Sequence, residues 1–115
     1  MHEYGLCEGV LAAVRLRAAG RKVARIRVRF GVRHAVDSES LAQAFSVVAE
    51  GTEAAGAAVE LVTVPATLSC RSCGAVTETA DVLAVCPRCA SGDVEISGGD
   101  EMTLESIRYV PVPAG

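Results

Sequence analysis

Cys70-Arg71-Ser72-Cys73-Gly74 and Cys86-Pro87-Arg88-Cys89, with twelve residues between Cys73 and Cys86, decide how the second half of this chain folds. Two residues between thiolates let a tight turn aim both sulfurs at one ion. Two such turns at the tips of facing hairpins complete a tetrahedral set of four sulfurs, which suits Zn²⁺. All four protein positions are then filled, so the site reads as structural rather than catalytic. The free energy of such a site, on the order of 10 kcal/mol or more, goes directly into folding. A rubredoxin-like iron centre uses the same Cys-x-x-Cys turns, but its long gap and aromatic-packed core are absent, and zinc is preferred. Coincidental cysteines or a redox pair are poor readings of a doubled spacing.

Composition explains why a staple is useful. The chain has 115 residues, an aromatic fraction of 3% and no Trp, so Val, Ala, Leu and Ile must build its core. These bury less area per residue than rings do, and short chains with thin cores gain from a metal. A net charge of −3 and a pI near 5.3 argue against a general polyanion binder. No segment reaches the roughly 20 apolar residues that crossing a membrane requires. The start does not read as a signal peptide either: His2 and Glu3 open it, and Arg15 and Arg17 interrupt the apolar stretch. A cytoplasmic protein is expected, in which paired cysteines are metal ligands rather than disulfides.

Upstream of the cysteines the pattern is α/β. Leu6, Val10, Ala13, Val14 and Arg17 recur at helical spacing from about Glu3 to Ala19, with Gly20 placed to end the helix. Lys22 to Val32 then alternate: Ala24, Ile26, Val28, Phe30 and Val32 on one side, Val23, Arg25, Arg27 and Arg29 on the other. That predicts a half-buried strand. Asp37 and Ser38 are candidate caps for a second helix that buries Leu41, Ala44, Phe45 and Val48 and fades near Gly51. Ala57 to Val64 is a further β-branched run, stopped by Pro65.

Beyond Pro65 the character changes. Residues 70–115 carry three arginines against seven carboxylates, a net −4, where residues 1–69 carry +1. Short β-type runs at Val76–Thr79, Val82–Val85, Val94–Ser97 and Met102–Val110 are separated by turn residues. The fold class is therefore α+β: a small two-helix plus β-sheet domain with a C-terminal rubredoxin-like or zinc-ribbon β module. The expected division is residues 1–65, with the final strand at about 100–115, for the first domain and 66–99 for the ribbon.

The fifth cysteine, Cys7, lies beside the apolar stripe of the first helix with Leu11 and Val14 and reads as a small buried hydrophobe. Met1-His2-Glu3 is of more interest, although a His at position 2 is by default a surface residue. Met1 should be retained, because the bulky residue after it is a poor context for its removal. Its α-amine, the His2 amide nitrogen and the His2 Nδ1 can close adjacent chelate rings on one ion. A nitrogen-rich planar set suits Ni(II) or Cu(II), with copper expected to bind more tightly. The Glu3 amide or carboxylate could add a donor. An amide must be deprotonated, so affinity should rise with pH.

These features together resemble the hydrogenase nickel-incorporation chaperones of the HypA/HybF type. The matching residues are Met1-His2-Glu3, the stretch Gly51-Thr52-Glu53-Ala54-Ala55-Gly56-Ala57, the pair of CxxC turns from Cys70 to Cys89, and Gly99-Asp100-Glu101-Met102 before a final strand. The resemblance runs over nearly the whole chain. It implies a nickel metallochaperone, not an enzyme and without catalytic residues. Ni(II) would be transient cargo at Met1, His2 and Glu3, and Zn(II) would be structural at Cys70, Cys73, Cys86 and Cys89. It further implies delivery to the large subunit of a [NiFe] hydrogenase with a GTPase of the pathway; some relatives serve urease maturation. Two departures stand out. No His flanks either cysteine turn, and Gly31-Val32-Arg33-His34-Ala35-Val36 is more basic than the family's usual turn.

Arg25, Arg27, Arg29 and Arg33 form a basic row, best read as a solvated sheet face offset by nearby carboxylates and otherwise as a docking surface for an acidic partner or nucleic acid. His34 reads as an ordinary exposed residue at a strand end. The alternative function is a zinc-ribbon interaction module for protein or nucleic acid, with a structural subunit of a larger complex third. Nucleic acid is disfavoured by the acidic ribbon half, whose one aromatic is Tyr109.

Overall fold

The computed structural model describes residues 2–80 and 85–112. Among these are two helices, α1 (His2–Ala18) and α2 (Ser38–Val48), and a 3₁₀ turn at Val32–His34. The strands are β1 (Val23–Gly31), β2 (Ala58–Val64), β3 (Ala66–Cys70), β4 (Val76–Thr79), β5 (Val94–Gly98) and β6 (Met102–Tyr109). They form two three-stranded sheets, in the orders β2-β1-β6 and β4-β3-β5. The chain divides into two compact units: residues 1–28, 36–62 and 103–115 in one, and residues 29–35 and 63–102 in the other. No helix among the described residues is long and apolar enough to cross a membrane.

In the first unit α1 buries a stripe of Cys7, Val10, Val14 and Ala18, spaced three and four apart as one helix face requires. The helix ends where Ala19 and then Gly20 turn to positive φ. α2 packs against α1 and buries Leu41, Ala44 and Phe45. Its start is capped as the sequence suggests: Asp37 Oδ1 accepts from the Ser40 amide at 2.8 Å, and Oδ2 accepts from the Ser40 hydroxyl at 3.0 Å. The Ser40 amide and hydroxyl hold the Asp37 carboxyl below its usual range. Ile26 and Val28 of β1 complete the core, both fully buried.

The turn after α2 ties this unit together. The Glu53 carbonyl accepts from the Val23 amide at 2.9 Å and its carboxylate accepts from Arg15 Nε at 2.8 Å, so one residue fixes both the last turns of α1 and the start of β1. Ala54 beside it is fully buried. Val23, grouped by alternation with the arginines, is buried rather than solvent-facing. β6 runs antiparallel to β1: the Val110 amide donates to the Lys22 carbonyl, and Arg27 meets Glu105 further along.

The second unit centres on β3, with β4 and β5 antiparallel on either side. Alternation along β3 buries Ala66, Leu68 and Cys70. This strand was not evident from sequence, because Pro65 reads as a stop; here the proline separates β2 from β3 by one residue. The unit's buried cluster is Leu68, Cys70, Ala75 and Cys86, with Val94 and Ile96 packed against it. Val32, assigned by alternation to the strand, instead opens the 3₁₀ turn. Of the run Val82–Val85, residues 82–84 lie outside the described residues.

At one point in this unit two backbone segments touch with no side chain between them. A Cβ on Gly31 would lie 2.0 Å from the Gly99 carbonyl carbon and oxygen, so only glycine fits. The Gly31 amide donates to the Glu101 carbonyl at 2.8 Å and the Arg33 amide to the Gly99 carbonyl at 2.8 Å, which stitches the crossing.

Candidate metal centres

The two cysteine turns are built alike. In the first, the Cys70 amide donates to the Ala75 carbonyl at 2.9 Å and the Gly74 amide returns to the Cys70 carbonyl at 3.0 Å. In the second, the Cys86 amide donates to the Ser91 carbonyl at 2.9 Å and the Ala90 amide returns to the Cys86 carbonyl at 2.8 Å. Each turn thus closes on itself and points its sulfurs inward. The Ser72 and Ser91 hydroxyls join the two turns at 2.9 Å. Arg71 adds an outer brace, reaching Asp93 at 3.0 Å and Glu95 at 3.1 Å.

All four Sγ atoms lie within 4.8 Å of one another. Each turn supplies one buried thiol (Cys70, Cys86) and one exposed thiol (Cys73, Cys89). The short contacts run between turns: Cys70 to Cys89 at 3.6 Å and Cys73 to Cys86 at 3.6 Å. With Zn–S bonds of about 2.3 Å, a tetrahedral zinc spaces its sulfurs by about 3.8 Å, so this donor set fits such an ion in type, number and spacing. The thiols are already unequal. The backbone amides of Arg88 and Cys89 pull the Cys86 thiol down to about 6. The Cys73 amide, 3.4 Å from the Cys70 sulfur, likewise lowers Cys70. Cys89 receives the Ser91 amide, which acts to lower it, but hydrogen bonding with Cys70 and the other thiols, together with burial, pushes it up to about 12. Crowded sulfurs cannot all ionise without a cation among them.

Cys7 takes no part in this cluster. It is fully buried, its sulfur 3.6 Å from the Leu41 carbonyl, and burial followed by the nearby Glu3 charge pushes its thiol up to about 11. Such a thiol is inert packing at neutral pH.

His2 and Glu3 occupy the first turn of α1, and the His2 Nδ1 meets the Glu3 carboxylate. Met1, the third residue of the terminal set, lies outside the described residues. His34 is half-buried rather than exposed: its ring lies 5.6 Å from that of Phe30, and Nε2 bonds with the Asp100 carbonyl at 2.9 Å. Nothing in the alternation of β1 signals that engagement, which depends on the 3₁₀ turn.

Comparison with known proteins agrees with this architecture. Residues 1–109 match the family described as hydrogenase/urease nickel incorporation, metallochaperone, HypA. The chain is 36% identical over 113 residues to the hydrogenase maturation factor HypA of Rhodobacter capsulatus, covering 96% of this chain and 100% of that protein. It is 33% identical over 110 residues to the factor of the same name from Acidithiobacillus ferrooxidans, covering 93% and 97% of the two chains. The solution structure of the Ni metallochaperone HypA from Helicobacter pylori is similar with a TM-score of 0.59 at 27% identity, over 94% of this chain and 97% of that one. A match along nearly the whole length, in sequence and in fold, means that this chain belongs to the HypA family of hydrogenase and urease nickel-incorporation metallochaperones.

Proposed function

We propose that this chain binds Ni(II) at its N-terminus and hands it on in the cytoplasm during maturation of a [NiFe] hydrogenase, acting with the GTPase of that pathway. The ligands are the Met1 α-amine, the amide nitrogen and Nδ1 of His2, and the Glu3 amide or carboxylate. The observation that carries this reading is the match of residues 1–109 to a nickel-incorporation family. The position of His2 and Glu3 in the first turn of α1 supports it. A helix's own hydrogen-bond ladder does not use the amides of its first turn, so a metal can take an amide nitrogen there without breaking a helical bond.

The same position keeps the hold weak. The positive end of the helix macrodipole opposes a cation, and the His2 Nδ1 must first leave the Glu3 carboxylate. The His2 side chain is 57% exposed, so ligands of a recipient can attack in turn. Weak, accessible coordination suits cargo and transfer by ligand exchange. Cys70, Cys73, Cys86 and Cys89 hold a structural Zn(II) that stabilises the second unit. The family description pairs hydrogenase with urease; the hydrogenase large subunit is the first recipient to test and urease maturation proteins the second.

Titrating Ni(II) into zinc-loaded protein with a native N-terminus, beside the His2→Ala variant, tests the reading. Wild type should bind about one equivalent, and the variant should lose at least tenfold in affinity while keeping its zinc and its fold. Equal binding by both, or none by either, overturns the nickel site and makes a zinc-ribbon interaction module the better account.

A further inference from the structure

Outside the metal centres, the sheet of the first unit carries a charged groove of about 390 Å³ whose lining includes Arg25, Arg27, Glu60, Ser106, Ile107 and Arg108. Its three guanidiniums differ in how they are engaged. Arg27 is braced on two sides, 3.1 Å from Glu60 and 3.3 Å from Glu105. Arg25 reaches the same Glu60 at 3.4 Å, so one carboxylate serves two arginines. Arg108 has no carboxylate within ion-pair distance among the described residues. The register that joins Lys22 to Val110 sets Arg108 opposite Ala24, the neighbour of Arg25 in β1, and both arginines line the same groove. The offset expected from neighbouring carboxylates is therefore real but partial: Arg27 is satisfied, while Arg25 and Arg108 retain donors.

We propose that this groove docks an acidic peptide segment of a partner protein, with carboxylates taken by Arg25 and Arg108 while Arg27 serves as a fixed strut. A guanidinium binds a carboxylate through paired parallel hydrogen bonds, so two incompletely paired ones lining one groove favour a segment with clustered carboxylates. The groove is locally positive on a chain of net charge −3, so the field draws an acidic partner to this face rather than to the molecule at large. Nucleic acid fits less well. No aromatic ring lines the groove for bases to stack on.

The test uses the full zinc-loaded chain and a fluorescent octaglutamate peptide, read by anisotropy. Wild type should bind it, more weakly as salt is raised, and should bind octaglutamine at least tenfold less well. Arg108→Glu should lower octaglutamate affinity at least tenfold with zinc content and circular dichroism unchanged. Arg108→Ala, which removes the cation without adding a charge, provides the same readout should the reversal disturb folding. His2→Ala should bind the peptide as wild type does, since the groove is independent of the nickel reading. No binding by wild type, unchanged binding by both Arg108 variants, or tighter binding of an oligouridylate of equal length would each overturn the proposal.

Discussion

Gly74 and Ala90 hold the same place in the two cysteine turns, each four residues after the first cysteine, and both adopt left-handed backbone, with φ of +77° and +61°. The amides of both return to that cysteine's carbonyl, so the closure of each turn requires this conformation. Glycine adopts it without penalty, whereas a residue with a Cβ loses about 1–2 kcal/mol. The second turn therefore folds at a cost that the first avoids.

Ala90→Gly should stabilise the zinc-loaded protein by about 1 kcal/mol, the left-handed penalty less the extra freedom of glycine when unfolded. Gly74→Ala should destabilise by a similar amount, since a Cβ there meets no atom within 4 Å and only the backbone term operates. Thermal unfolding of the two variants beside wild type measures both; shifts of the same sign would contradict the account.

Removing the metal should unravel the second unit first, because two of the four residues in its buried cluster are themselves cysteines. Chelation, or Cys86→Ser, should broaden the amide signals of residues 63–80 and 85–102. Signals from α1 and α2 should persist. Uniform collapse of both sets would show that the first unit cannot stand without zinc.

Zinc uptake should release protons in an amount that grows as pH falls. At neutral pH the Cys86 thiol, pulled down to about 6, is already ionised, whereas Cys89, pushed up to about 12, keeps its proton until the metal displaces it. Below about pH 6 Cys86 is protonated as well and must also release its proton, so apparent affinity weakens on acidification. Calorimetry in buffers of different ionisation enthalpy counts the protons. Release that is constant across this range would refute the assignment.

Gly31→Ala should be severely destabilising, by about 3 kcal/mol, the upper range for forcing extra volume into a packed site. The atoms that its Cβ would strike belong to the Gly99 and Asp100 backbone, which cannot rotate away as a flexible side chain would. Denaturant unfolding measures this; a loss below about 1 kcal/mol would mean that the crossing relaxes easily.

Much of this architecture was legible in the residues, for identifiable reasons. Asp37 followed by Ser38 and Glu39 marks a helix start through local chemistry alone, and Asp37 does cap Ser40. The doubled Cys-x-x-Cys spacing likewise encodes a cluster, since each turn is closed by its own backbone. What escaped was set by partners distant in sequence. β3 owes its place to strands on both sides, and the buried start of β1 at Val23 is tied by its amide to Glu53, thirty residues on. The inequality of the four thiols depends on which amides point at which sulfur, something that spacing does not encode. At the terminus, Met1 lies outside the described residues, so the nickel ligands still rest on family likeness and on chemistry.

The compact unit that holds the cysteines is assembled from two separate stretches, residues 29–35 and 63–102. The unit is accordingly not a contiguous cassette in the sequence. A recombination event that exchanged the cysteine region as one continuous block would leave behind the 29–35 stretch, including the glycine on which Gly99 rests. Ancestral exchange of this module would have to carry both segments or else find a new partner for Gly99, and grafting the ribbon onto another scaffold faces the same requirement.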